Sequence, residues 1–197
     1  MKVENSEGKA NEKTGGKGKW RCQWIFAVLA FAITFYLVEF SPWSSRMVAE
    51  YNNGYGTFDM KQYNRESVEE VLTNMEEEGF TAYNHYLAVD TVFILAFGWL
   101  QILMARAAGE KGRSIFIKRA GMGAAVARGA FDLVENITLF HILREYPNMS
   151  AVRSKIAGTA TRFKLACIGV WIVLLVAGMI LAKRRGQKKI RIQKNPA

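Results

Sequence analysis

Apolar residues in this chain gather into four blocks, each bounded by polar or charged stretches. The blocks run from about Trp24 to Phe40, Tyr86 to Ala107, Ile115 to Leu143 and Ile156 to Ala182. A helix needs about 20 residues to cross a hydrocarbon core, so each block reads as a membrane span. The predicted fold is all-α, a four-helix transmembrane bundle over residues 24–182. The first block is the shortest and follows a basic segment, which makes a cleaved signal peptide its alternative. No small-x-small cleavage site follows it, since the exit reads Glu39-Phe-Ser-Pro-Trp43. Trp24, Tyr36 and Trp43 are instead placed as interfacial anchors.

The 41–85 loop between the first two blocks has a pattern of its own. Ser67-Val-Glu-Glu70 has the form of a capping box, in which the Ser and Glu side chains satisfy two free backbone donors. Val68, Val71, Leu72 and Met75 follow at helical spacing, and Gly79 fits a C-terminal stop. The loop is therefore predicted to carry a short amphipathic helix, with Tyr51, Tyr55, Phe58 and Tyr63 ahead of it able to form a lid.

Charge orients the bundle. The 197 residues carry a net charge of +10, and the Lys and Arg lie at the ends of the apolar blocks. Nucleic acid is not expected as a partner on that placement, because a nucleic-acid surface would line Lys and Arg along a soluble domain with interleaved aromatics. Residues 1–23, the turn around Lys111 and Arg113, and residues 183–197 are basic, whereas the 41–85 loop is acidic. Positive flanks mark the cytoplasmic side, so both termini are expected inside, in a multi-pass protein of the plasma membrane. The first tail, with almost nothing apolar before Trp20, is expected to be disordered. Cys22 and Cys167 lack metal-ligand spacing and sit in unlike surroundings, so neither a bridge nor a metal is expected from them.

Several polar residues interrupt the blocks. In the third, positions 121, 125, 128, 132, 135, 136 and 139 fall on one helical stripe. Gly121 and Ala125 on that stripe allow close helix approach, as small residues do in membranes. Arg128, Asp132, Glu135 and Asn136 bring charge and an amide, with Arg128 and Asp132 four apart and able to pair. Asp90 in the second block and Thr161, Arg162 and Lys164 in the fourth lie at comparable depth. The expectation is a charge-balanced cluster, with Asp90, Asp132 and Glu135 facing Arg128, Arg162 and Lys164. These eight residues are the candidate ligand-binding set. Unpaired ionisable groups in a membrane cost several kcal/mol each, so such a cluster is either a functional site or a structural one.

Three functions stay open on the sequence. The leading one is an outward-facing site for a small molecule, ion or lipid headgroup. The second is a structural or assembly subunit, with a membrane-protein partner or a second copy bound alongside the bilayer lipid. The third, a lipid-modifying enzyme using Asp132 or Glu135 as base, lacks a nucleophile, a phosphate loop or a metal motif to support it. No cofactor is expected. His85 and His141, which lie at outer helix ends, form a metal site only if Glu135 joins them.

The chain resembles a group of uncharacterised four-span integral membrane proteins. The matching pieces are Tyr63, the loop helix ending at Glu78-Gly79 with Tyr83 after it, and Asp90-Thr-Val-Phe-Ile in the second block. They continue with Phe131-Asp132-Leu-Val-Glu135-Asn136, Tyr146-Pro147, and Thr161 with Lys164. The resemblance covers roughly residues 24–182 and implies four spans and a shared intramembrane Asp-Leu-x-Glu-Asn cluster, without an activity. The chain departs from the pattern at Gly79-Phe80, where similar proteins often have Gly-Arg, and at Arg162, which is an added charge.

Overall fold

The computed structural model describes the backbone of residues 5–59, 61 and 63–194, and the side chains of residues 20–59, 61 and 63–187. Among these residues every regular element is helical. In chain order they are α1 (Asn5–Phe40), α2 (Ser45–Glu50), α3 (Arg65–Thr73), α4 (Glu77–Lys111), α5 (Ile115–Glu145) and α6 (Ala151–Lys194). α4, α5 and α6 pack against one another, and α1 leans on α4.

Three regions are long and apolar enough to cross a membrane: the one containing α1, then α4, and α6. α5 has the length, but Arg128, Asp132 and Glu135 interrupt its apolar run. All seven positions of its predicted stripe are buried, from Gly121 to Leu139. Gly121 works as expected from its size, since a Cβ there would stand 2.9 Å from the Cβ of Ala105 on α4. α6 buries a stripe of its own, with Ser154, Ala157, Thr161, Lys164, Trp171 and Gly178 turned inward. Outward-facing Val152, Phe163 and Val173 on α6, and Phe26, Leu29 and Ile33 on α1, are exposed, the pattern of a helix covered by lipid.

The boundaries correct several expectations. The loop helix is real, and Val68, Val71 and Leu72 form its buried face. Its cap is Asn64 and not Ser67: the Asn64 side-chain oxygen Oδ1 accepts from the Ser67 N–H at 2.9 Å. Ser67 lies in the first turn, so the capping box does not form. The helix ends at Thr73, and Gly79 belongs to the first turn of α4. Gly79 serves as a contact point, because a Cβ there would fall 2.7 Å from that of Tyr51. α4 starts well before the predicted span because Glu77 and Glu78 favour the positive end of a helix dipole. At the other end of the chain's first span, α1 continues back to Asn5, where composition predicts a disordered tail. Extension of a helix already nucleated by the apolar segment needs only the propagation step. Residues 1–4 and 195–197 of the two tails lie outside the described residues.

One residue in α4 is out of place energetically. Gln101 is fully buried, and neither polar atom of its side chain has a hydrogen-bond partner among the described residues. Gln101→Met keeps the length and removes the orphaned amide. It is expected to raise unfolding free energy by about 1–3 kcal/mol, read as a higher melting temperature in detergent.

Candidate functional site

Seven of the eight predicted site residues converge where α4, α5 and α6 meet. Asp90, Arg128, Asp132, Glu135, Asn136, Thr161 and Lys164 are each between 0% and 7% exposed. At these exposures the groups must satisfy one another. Asp132 is the bridge: its Oδ2 accepts from Arg128 Nη1 at 2.7 Å, and its Oδ1 from Lys164 Nζ at 2.8 Å. The i, i+4 pairing read from the sequence is thus present, with a second cation added from α6.

Arg128 is fixed on two further sides. Its Nη2 donates to the Ile94 carbonyl at 2.9 Å, and its guanidinium lies 4.7 Å from the centre of the Phe97 ring. Lys164 is the other hub. Its ammonium lies 2.7 Å from Glu135 Oε2, an ion pair whose atoms are not aligned as a hydrogen bond. Glu135 Oε1 accepts from Thr161 Oγ1 at 2.7 Å and from the Tyr63 hydroxyl at 3.1 Å. Asp90 stands at the edge of the network, where Asn136 Nδ2 donates to its Oδ2 at 2.8 Å.

Two members were not legible as such. Lys164 also donates to Asp59, a loop residue whose side chain is 32% exposed. Tyr63, a lid residue and a matching piece of the resemblance by sequence, is also a hydrogen-bond donor to Glu135. The loop carrying both is pinned to the bundle by Tyr83, whose hydroxyl accepts from the Phe58 N–H at 2.8 Å. Gly158 on α6 admits it, since a Cβ there would stand 2.6 Å from the Tyr63 carbonyl oxygen.

Arg162 is the exception. It is exposed, on a different face of α6 from Thr161 and Lys164. The inward positions 154, 157, 161, 164, 171 and 178 alternate by three, four or seven, and 162 is about 100° off that stripe. The expected balance of three acids against three bases is therefore wrong. Asp59 replaces Arg162, leaving Asp59, Asp90, Asp132 and Glu135 around Arg128 and Lys164. The cluster has two more acids than bases.

Asp59, Asp132 and Glu135 bring carboxylate oxygens within 4.8 Å of one another, a spacing that suits a metal ion. The Lys164 ammonium contacts all three and stands where that ion would sit. His85 and His141 are exposed, whereas Glu135 is buried and engaged by Lys164 and Thr161, so the three do not make a metal centre.

Burial, and next the charge of Glu135, hold the Tyr63 hydroxyl well above the ordinary tyrosine range. Below about pH 10, the ordinary tyrosine value, this contribution to stability is complete. Above it the folded state keeps a proton that the unfolded chain releases, so stability falls as pH rises. Tyr63→Phe is expected to flatten that alkaline loss in melting curves recorded between about pH 8 and 11.

No family model matches this sequence, and neither curated proteins nor solved structures give a match.

Proposed function

We propose that the protein is a four-span membrane protein with both termini cytoplasmic, in which the buried cluster takes a small cation from the outer side. α5 is the third span in this reading, its charges turned into the bundle and away from lipid. The observation that carries it is the acid surplus: Asp59, Asp132 and Glu135 share Lys164 and Arg128, and Asp90 stands beside them without a base among the described residues, in a region where uncompensated charge is costly. Asp59 is the most exposed of the four and is partly open to solvent, which gives an entering ion its first carboxylate. Asp90 has an amide partner and no paired base among the described residues, which leaves it able to provide the second.

A small cation bound to the folded state stabilises it by mass action. In nanodiscs at constant ionic strength, replacing choline by Na⁺, K⁺ or Li⁺ is expected to raise the melting temperature for at least one ion. Asp59→Asn is expected to abolish that rise. A response identical to choline for all three ions overturns cation uptake.

The second reading is a structural or assembly subunit, and the pairing of both Asp132 oxygens favours it. In that case the cluster fastens the outer loop to the helices and the cation response is absent. Co-purification with a defined membrane partner, and an outer loop protected only in that complex, are its positive signs.

A further inference from the structure

Arg162, which leaves the buried cluster, lies on a second feature. A cavity of about 250 Å³ opens between the outer half of α6 and the start of α3, lined in part by Tyr63, Asn64, Arg65, Lys155, Thr159 and Arg162. Three of these six side chains are cationic. Among the described residues, no carboxylate lies within 4.0 Å of Lys155 or Arg162, and Arg65 has only an exposed pair with Glu69 at 3.8 Å. Lys155 and Arg162 on α6 thus line the cavity without an acid partner among the described residues, and Arg65 alone is shared with an acid.

The position on α6 narrows the ligand. Arg162 is eleven residues into the helix, roughly 16 Å along its axis at 1.5 Å per residue. Its neighbours Ile156 and Phe163 are exposed and apolar, so lipid surrounds this part of α6 in the four-span reading. A cation among such residues turns its head toward the interface. Guanidinium groups pair bidentately with phosphate oxygens, an ammonium adds a point charge, and the Thr159 hydroxyl supplies a neutral donor.

We propose that this cavity binds a phosphate group, held by Arg162, Lys155 and Arg65. The group comes from a phospholipid headgroup or from free phosphate. The site is separate from the buried cluster and has the opposite charge preference. Its lipid source rests on the membrane reading of α6; the phosphate chemistry does not.

The test is calorimetric titration of the full chain in neutral detergent with short-chain phosphatidic acid, short-chain phosphatidylcholine and inorganic phosphate. Wild type is expected to bind phosphatidic acid saturably. The double variant Lys155→Gln/Arg162→Gln is expected to weaken that binding about tenfold or more, a loss of two charge-assisted contacts. Arg184→Gln, in the basic tail, should leave it unchanged. Lys155 and Arg162 are both exposed, so the double variant should melt as wild type does. Binding of phosphatidic acid but not phosphate identifies the lipid source. Equal binding of both identifies free phosphate as sufficient. No saturable binding by either, undiminished binding in the double variant, or the same loss in Arg184→Gln, overturns the proposal.

Discussion

Lys164→Met is expected to cost about 3–5 kcal/mol, enough to unfold or loosen a protein whose total stability is of order 5–15 kcal/mol. Lys164 is 2% exposed and contacts Asp59, Asp132 and Glu135. Methionine fills most of the same volume, so the loss is electrostatic and not a cavity effect. Without the ammonium, Glu135 keeps only the Thr161 and Tyr63 hydroxyls, and Asp59 is released toward solvent. The acid surplus rises from two to three. Denaturation in mixed micelles, followed by circular dichroism, measures the loss. The double variant Lys164→Met/Glu135→Gln should recover part of it, because it removes one of the stranded carboxylates; simple additivity of the two changes would show that they act independently.

Arg128→Met is expected to be nearly as costly, by about 3–5 kcal/mol. Arg128 heads the fully buried side chains in size, and its guanidinium joins Asp132, the Ile94 carbonyl and the face of Phe97. Truncation strands one Asp132 oxygen and removes a cation–π contact. The surplus predicts an asymmetry here. Loss of either base makes the charge imbalance worse, whereas Asp90→Asn reduces it and keeps an oxygen to accept from Asn136. Asp90→Asn should therefore cost under about 1 kcal/mol, on the scale of a single neutral hydrogen bond. The same denaturation series, with all three variants compared in one detergent, reads the asymmetry directly.

The outcome also explains which parts of the site the sequence discloses. Arg128 and Asp132, or Thr161 and Lys164, are related by helical spacing, and spacing survives folding unchanged. Asp90 and Asn136 meet because their helices pack with their polar positions at similar depth, which counting residues anticipates. Arg162 shows the limit of depth alone. It lies at the right level, but its rotation about α6 points it away, and only the full inward stripe from Ser154 to Gly178 reveals that.

Asp59 is a different kind of omission. It sits in a loop without periodicity, and its approach to Lys164 depends on loop closure through Phe58, Tyr83 and Gly158. No local rule encodes such a contact. The Ser67 capping box is absent for a narrower reason. Asn64 and Ser67 are both good caps, three residues apart, and the helix takes the earlier one. At the level of fold, the helical class, the inward stripe of α5 and the buried face of α3 were legible because amphipathic periodicity is local. The packing of α1 beside α4 was not, since an apolar helix offers lipid and protein almost the same surface.

Equilibrium binding is the direct test of the proposed cation uptake by the acid-rich cluster. Na⁺, K⁺ and Li⁺ are titrated calorimetrically into the full chain in nanodiscs, with choline holding ionic strength constant. One saturable site in wild type, lost in Asp59→Asn and in Asp90→Asn while both variants remain folded, is the predicted result. Absence of saturable heat for every ion in wild type, or a site that survives both substitutions, would contradict it.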